Sequence, residues 1–213
     1  MVAVRSLLAA LALTAAAVGV GVAVRGGEDP GGDPDSPAQR GTPLSAFDTT
    51  GLVVARSAFC SGLGPDPVLA ALGAEPESSS SYGNGERAAV SAAVTDVAHE
   101  FDCTWRLADG TEARAWVFAP PVTPARARDL TTAAVDARGC ERLADASAFG
   151  SPSAALVCAR GDLLEASYRG LFGDAWLACS VTAPTAGTER ADLVDRTGRW
   201  CVAFARAASD PPD

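Results

Sequence analysis

The chain has no lysine, one histidine and no Cys-x-x-Cys pair in 213 residues, and each shortage removes a class of function. All 17 basic side chains are arginine, a bias that fits a GC-rich coding sequence and carries no chemistry by itself. With His99 as the only imidazole, a Ser/His/Asp hydrolase would have to route its proton through that residue. No Gly-x-Ser-x-Gly elbow accompanies it, and His99 reads as an exposed residue at the start of a strand. Zinc is the rival reading of the cysteines, and the missing Cys-x-x-Cys spacing and the lack of a second histidine weigh against it. The net charge of −9 repels phosphate backbones and anionic lipid headgroups, so nucleic acid is not an expected partner.

Charge is also missing from the N-terminus, where only Arg5 and Arg25 occur in the first 25 residues. The uncharged run between them is longer than most secretory h-regions and close to the ~20 residues of a membrane span. Residues 1–25 therefore read as a signal peptide or as an N-terminal membrane anchor with the N-terminus inside. The leader holds no cysteine to accept a lipid. Residues 26–46 are rich in Gly, Pro and Asp and nearly free of large apolar side chains, as expected of a flexible linker. Residues 47–208 are long enough for one extracytoplasmic domain, and 209–213 form a polar tail.

What the chain does contain is six cysteines: Cys60, Cys103, Cys140, Cys158, Cys179 and Cys201. An even number in an exported chain points to three disulfides, with 15 pairings open from the count alone. Two stretches share a layout. Ala115-Trp116-Val117 is followed by Thr123-Pro124 and a helical segment reaching Cys140; Ala175-Trp176-Leu177 is followed by a turn and a helical segment reaching Cys201. A duplicated strand-strand-helix unit is one reading, convergence the other.

Asp109-Gly110 suits a two-residue type I′ turn. That turn would pair Trp105 with Arg114, Cys103 with Trp116 and Phe101 with Phe118, placing Phe101, Cys103, Trp105, Trp116 and Phe118 on one face. Core packing is the first reading of these aromatics, a ligand platform the second. The following helix starts at Thr123 and Pro124 and continues its apolar stripe through Leu130, Ala134, Cys140 and Leu143. Strands are expected at about 154–160, 163–169 and 175–182, then a helix burying Leu193, Thr197, Trp200, Cys201 and Phe204. Earlier, Asp66-Pro67 opens a short helix that Gly73 stops, residues 77–85 read as an exposed serine-rich loop, and 88–97 leans to strand. The expected fold is α+β, an antiparallel sheet of five or six strands with two long helices on one face, stapled by disulfides. Cys140–Cys158 and Cys179–Cys201 would each tie a strand to a helix of this layer.

Phe59-Cys60-Ser61-Gly62-Leu63, the short helix at 68–73 and Cys103-Thr104-Trp105 together resemble the actinobacterial family of small secreted lipoproteins with a domain of unknown function. A weaker similarity reaches the extracytoplasmic sensor domains of actinobacterial serine/threonine kinases. The resemblance implies a Cys60–Cys103 bridge and no catalytic residues. We expect a non-catalytic envelope module that binds or senses a ligand or partner outside the membrane, with no catalytic residue, metal or cofactor. A small secreted hydrolase using dispersed carboxylates, or a structural partner of another envelope protein, are the alternatives.

Overall fold

A computed structural model describes residues 41–91 and 94–209. The leader, most of the linker and the last four residues lie outside them. Among the described residues no helix is long and apolar enough to cross a membrane.

The domain is α+β. Seven antiparallel strands form its main sheet: β1 (Ser78–Tyr82), β4 (Glu100–Arg106), β5 (Glu112–Phe118), β6 (Cys140–Arg142), β7 (Ser153–Arg160), β8 (Leu163–Phe172) and β9 (Ala175–Pro184). Their order is β1-β4-β5-β9-β8-β7-β6. β2 (Arg87–Ser91) and β3 (Val94–Val97) pair separately as a hairpin. β9 is the middle strand, and its apolar run is buried on both sides, as a strand covered on two faces must be.

Among the described residues three α-helices complete the fold: α1 (Pro65–Leu72), α2 (Pro124–Val135) and α3 (Arg190–Ser209). On α3, Leu193, Thr197, Trp200, Cys201 and Phe204 are buried at helical spacing, as the sequence predicts. They meet Ala113, Ala115, Val117, Leu177, Cys179 and Val181 in the principal core. Trp200 stands edge-on to Trp105 with centroids 5.5 Å apart, and Phe204 packs on Phe59 at 4.7 Å. α1 joins this layer through Val68, Ala71 and Leu72, and Gly73 ends it in the left-handed region at φ 83°.

Several expectations need correction. The sheet has seven strands rather than five or six, because the serine-rich segment pairs with β4 as edge strand β1 and Cys140–Arg142 pairs with β7. The helices do not share one face. β7 turns Ala155 and Val157 into the principal core, and Ala154, Leu156 and Cys158 into a separate cluster with Ala134 of α2. α2 therefore lies across the sheet from α3. It also stops at Val135, well short of the extended stripe: Gly139, at φ 77°, turns the chain into β6. Its start is as expected, with Thr123 Oγ1 accepting from Arg126 N–H at 3.2 Å and Pro124 in the first turn.

The fourth correction is the β4–β5 register. Trp105 pairs with Ala113, Cys103 with Ala115 and Phe101 with Val117, one residue away from the two-residue-turn register. Leu107 N–H donates to Thr111 C=O at 2.9 Å, which leaves Ala108, Asp109 and Gly110 as a three-residue loop. Gly110 takes the positive φ of 91°, and Asp109 Oδ1 accepts from Thr111 N–H. The slip moves Trp116 and Phe118 to the face opposite Cys103.

The two hairpins meet antiparallel at Val117 and Leu177, the arrangement a two-fold axis normal to the sheet would give. Such an axis would also place both following helices on the same face. α2 and α3 break that relation, so the duplication reading extends at most to the strands.

All three disulfides join cysteines in sequential order: Cys60–Cys103, Cys140–Cys158 and Cys179–Cys201. Cys179–Cys201 ties the central strand to α3. Cys140–Cys158 links two neighbouring strands rather than a strand and a helix, since Cys140 lies on β6 directly opposite Cys158. Such bonds suit an oxidising, extracytoplasmic compartment. Close backbone approach fixes two glycines near β8: a Cβ on Gly170 would fall 1.5 Å from Phe149 C=O, and one on Gly150 2.5 Å from Leu171 C=O.

Candidate functional site

α2 covers one end of its sheet face and leaves the other end, formed by β1, β4 and β5, without a helix. Strict alternation along β4 sends Phe101, Cys103 and Trp105 to the α3 side and Glu100, Asp102, Thr104 and Arg106 to the open side. β5 adds Glu112, Arg114 and Trp116 to that side, and Tyr82 of β1 stands opposite Asp102.

These side chains form one connected network. Arg114 Nε donates to Asp102 Oδ2 at 2.6 Å, and Thr104 Oγ1 donates to Asp102 Oδ1 at 2.9 Å. Arg114 Nη2 donates to the Tyr82 hydroxyl at 3.1 Å, and that hydroxyl donates to Glu100 Oε1 at 2.5 Å. Asp102 is 2% exposed. Its charge is therefore held almost entirely by Arg114 and Thr104, since water does not reach it.

Burial opposes both charges of the pair. It lifts the Asp102 carboxyl above its ordinary value, against the pull of Arg114 and Thr104. It also works against the Arg114 guanidinium, but there Asp102 outweighs it, and the cation is held more firmly than in water. Arginine keeps its proton at any ordinary pH, so the Asp102 carboxyl always faces a cation. The Tyr82 hydroxyl is pushed well above its usual range, first by burial and then by its bond to Glu100. It is a stable donor and a poor nucleophile.

Trp116 is the one strand aromatic of this group outside the packed clusters. Arg114 lies over its ring at 4.9 Å from the centroid and Arg169 of β8 at 5.8 Å. Arg169 reaches it across Ala178, the small β9 residue paired with both positions. It forms no ion pair among the described residues, and its Nε is buried without a hydrogen-bond partner, as is the hydroxyl of Ser167 two residues earlier. Burial pushes its guanidinium below the ordinary value, with Glu165 acting in the opposite direction.

Beside the network β1, β2, β4 and β5 line an open cavity of about 500 Å³. Ser80, Tyr82, Thr104, Glu86, Arg87 and Arg114 are among the residues that line it. Hydroxyls alternate there with charges of both signs. The arrangement can hold and orient a polar molecule; it contains no imidazole, and Arg114 and Asp102 are already committed to each other.

His99 lies exposed at the bend before β4, with its backbone C=O accepting from Ala119 N–H. All six cysteines are in disulfides. Among the described residues no three His, Cys, Asp or Glu side chains converge as a metal-binding group.

The network was not singled out from sequence. Its signal is the row Glu100, Asp102, Thr104, Arg106: polar residues, three of them charged, at every second position of a strand that is not at the sheet edge. Tyr82 is hidden in the serine-rich segment, and Arg169 comes from a strand two places away in the sheet order.

Comparison with known proteins adds no relative: no protein-family model matches this chain, and no curated protein matches it.

Proposed function

We propose that the domain is a non-catalytic envelope module that binds a small polar ligand, carrying both charges, on the open end of the sheet. The supporting observation is the pre-formed Tyr82–Glu100–Asp102–Arg114 network beside a 500 Å³ cavity of mixed charge. Its volume falls in the ~300–1,000 Å³ range of small-molecule sites. Carboxylates and guanidiniums together favour a zwitterion such as a short peptide over a bare anion or cation. The leader would deliver the module outside the membrane, either cleaved or retained as its anchor.

Thermal unfolding of the full chain with a panel of di- and tripeptides tests this reading. A ligand at 100 times its Kd adds about 2.7 kcal/mol and should raise Tm by several degrees. Ser80→Trp, which fills the cavity from the edge strand, should remove the rise while leaving the unliganded Tm nearly unchanged. No rise with any peptide, or a rise that survives Ser80→Trp, would refute the assignment.

A further inference from the structure

On the opposite side of the sheet a second cavity, of about 270 Å³, lies between α1 and α3. Its walls are largely apolar: Pro67, Ala70 and Ala71 come from α1, and Trp200, Val202 and Ala203 from α3. Three cations edge it, Arg196, Arg199 and Arg206, all on α3. Against them stands one carboxylate among the lining residues, the exposed Asp66. This is an unusual concentration of positive charge in a chain of net charge −9.

The arginines are not equally committed. Arg199 is engaged by Asp195 at 2.8 Å and by Gly41 C=O at 2.6 Å. Arg206 rests over the Phe47 ring, 5.3 Å from its centroid. Arg196 makes no ion pair among the described residues, and its Nε is buried without a hydrogen-bond partner. One of its terminal nitrogens reaches the C-terminal end of α1 near Gly73, where a helix favours a cation. That contact accounts for one terminal nitrogen and leaves the other without a hydrogen-bond partner among the described residues.

We propose that this groove binds a small aliphatic carboxylate, with its chain between α1 and α3 and its carboxylate on Arg196. Apolar walls give a bare anion nothing to hold, and three guanidiniums reject an aliphatic cation. A carboxylate matches the arginine fork, and its alkyl chain matches the alanines and Trp200. The volume is just under the common range for ligand sites, which limits the occupant to a single chain of about ten carbons.

Calorimetric titration of the full chain with decanoate, decanol and decyltrimethylammonium tests the proposal. Decanoate should bind saturably. Decanol should bind at least tenfold more weakly, because a charged hydrogen bond contributes about 1.5–3 kcal/mol, and the ammonium should not bind. Arg196→Gln should weaken decanoate tenfold or more, and Ala203→Trp, which fills the groove, should abolish binding. Equal affinity for decanoate and decanol, undiminished binding by Ala203→Trp, or no decanoate binding would overturn it. If Arg196→Gln fails to fold, the decanol comparison and Ala203→Trp still decide.

Discussion

The sheet face away from α3 is divided between two regimes, and the division follows α2. Where α2 covers it, the strands present Ala154, Leu156, Cys158, Leu171 and Trp176. Where no helix lies, they present Asp102, Thr104, Arg114 and Trp116. β8 crosses the border, contributing Leu171 at the covered end and Glu165, Ser167 and Arg169 farther along. A twelve-residue helix is about 18 Å long and cannot span seven strands. The uncovered strands must then be either solvated or filled by polar groups that satisfy one another. This protein does the second, which turns a gap in the packing into its most ordered cluster of charge.

The α3 layer should be the most costly to break. Phe204 is fully buried against Phe59, and Phe204→Ala should lose about 3–5 kcal/mol in denaturant unfolding. The disulfides come next. Cys179→Ala with Cys201→Ala should lose about 2–4 kcal/mol. Removing Cys140 and Cys158 together should cost less, because that bridge joins strands already hydrogen-bonded to each other and ends on the three-residue edge strand β6. An equal loss for the two pairs would mean that the faces do not differ in how they hold their layers.

On the open end, Arg114→Ala strands the Asp102 carboxylate in the interior. The expected loss is about 2 kcal/mol, below the usual cost of breaking a buried pair, because the guanidinium itself remains 27% exposed. Asp102→Ala combined with Arg114→Ala should recover part of this loss, with a coupling energy of about 0.5–3 kcal/mol. Additive losses would show that the two groups are independent, and that the open end is merely a solvated surface.

Much of this was legible from residues. The helical stripe on α3, the strands β7 to β9, the Thr123 cap and the Gly73 stop all follow from local patterns that tertiary contacts then reinforce. β1 was not legible, because an edge strand of serines shows no apolar face and is held through its backbone bonds to β4. β6 is too short to show a period. The face chosen by α2 is not written in its stripe, since a strand buried on both sides accepts a helix on either. Asp109-Gly110 announced a turn but not its length, and one residue of length moved Trp116 from the core to the arginines. Of the candidate site only the alternating polar row on β4 has a local signal, and it was not singled out; Tyr82 and Arg169 depend on strand order, which no local pattern encodes.

The last comparison is between the two tyrosines, which stand on opposite faces of the sheet. Tyr168 lies in the apolar core below α3, and burial, with Asp195, pushes its hydroxyl up to about 12. Tyr82 belongs to the polar network and is raised as well, by burial and by Glu100. Both folded-state values exceed the ~10 of an unfolded tyrosine. Above pH 10 the native state therefore binds more protons than the unfolded one, and stability falls as pH rises. Below pH 10 neither group contributes a slope. Tyr168 accounts for at most about 1.4 kcal/mol per pH unit between 10 and 12, and the loss levels off once the folded hydroxyl ionises. The window is simplified because the chain has no lysine and its cysteines are oxidised. Unfolding free energies from pH 8 to 12, with tyrosinate absorbance followed in parallel, should show a flat line that bends downward near 10. Tyr168→Phe should reduce the bend without altering stability at pH 8, whereas Tyr82→Phe should lower stability at pH 8 too, by removing its two hydrogen bonds. A bend unchanged in Tyr168→Phe would show that the α3 face does not shield that hydroxyl from water.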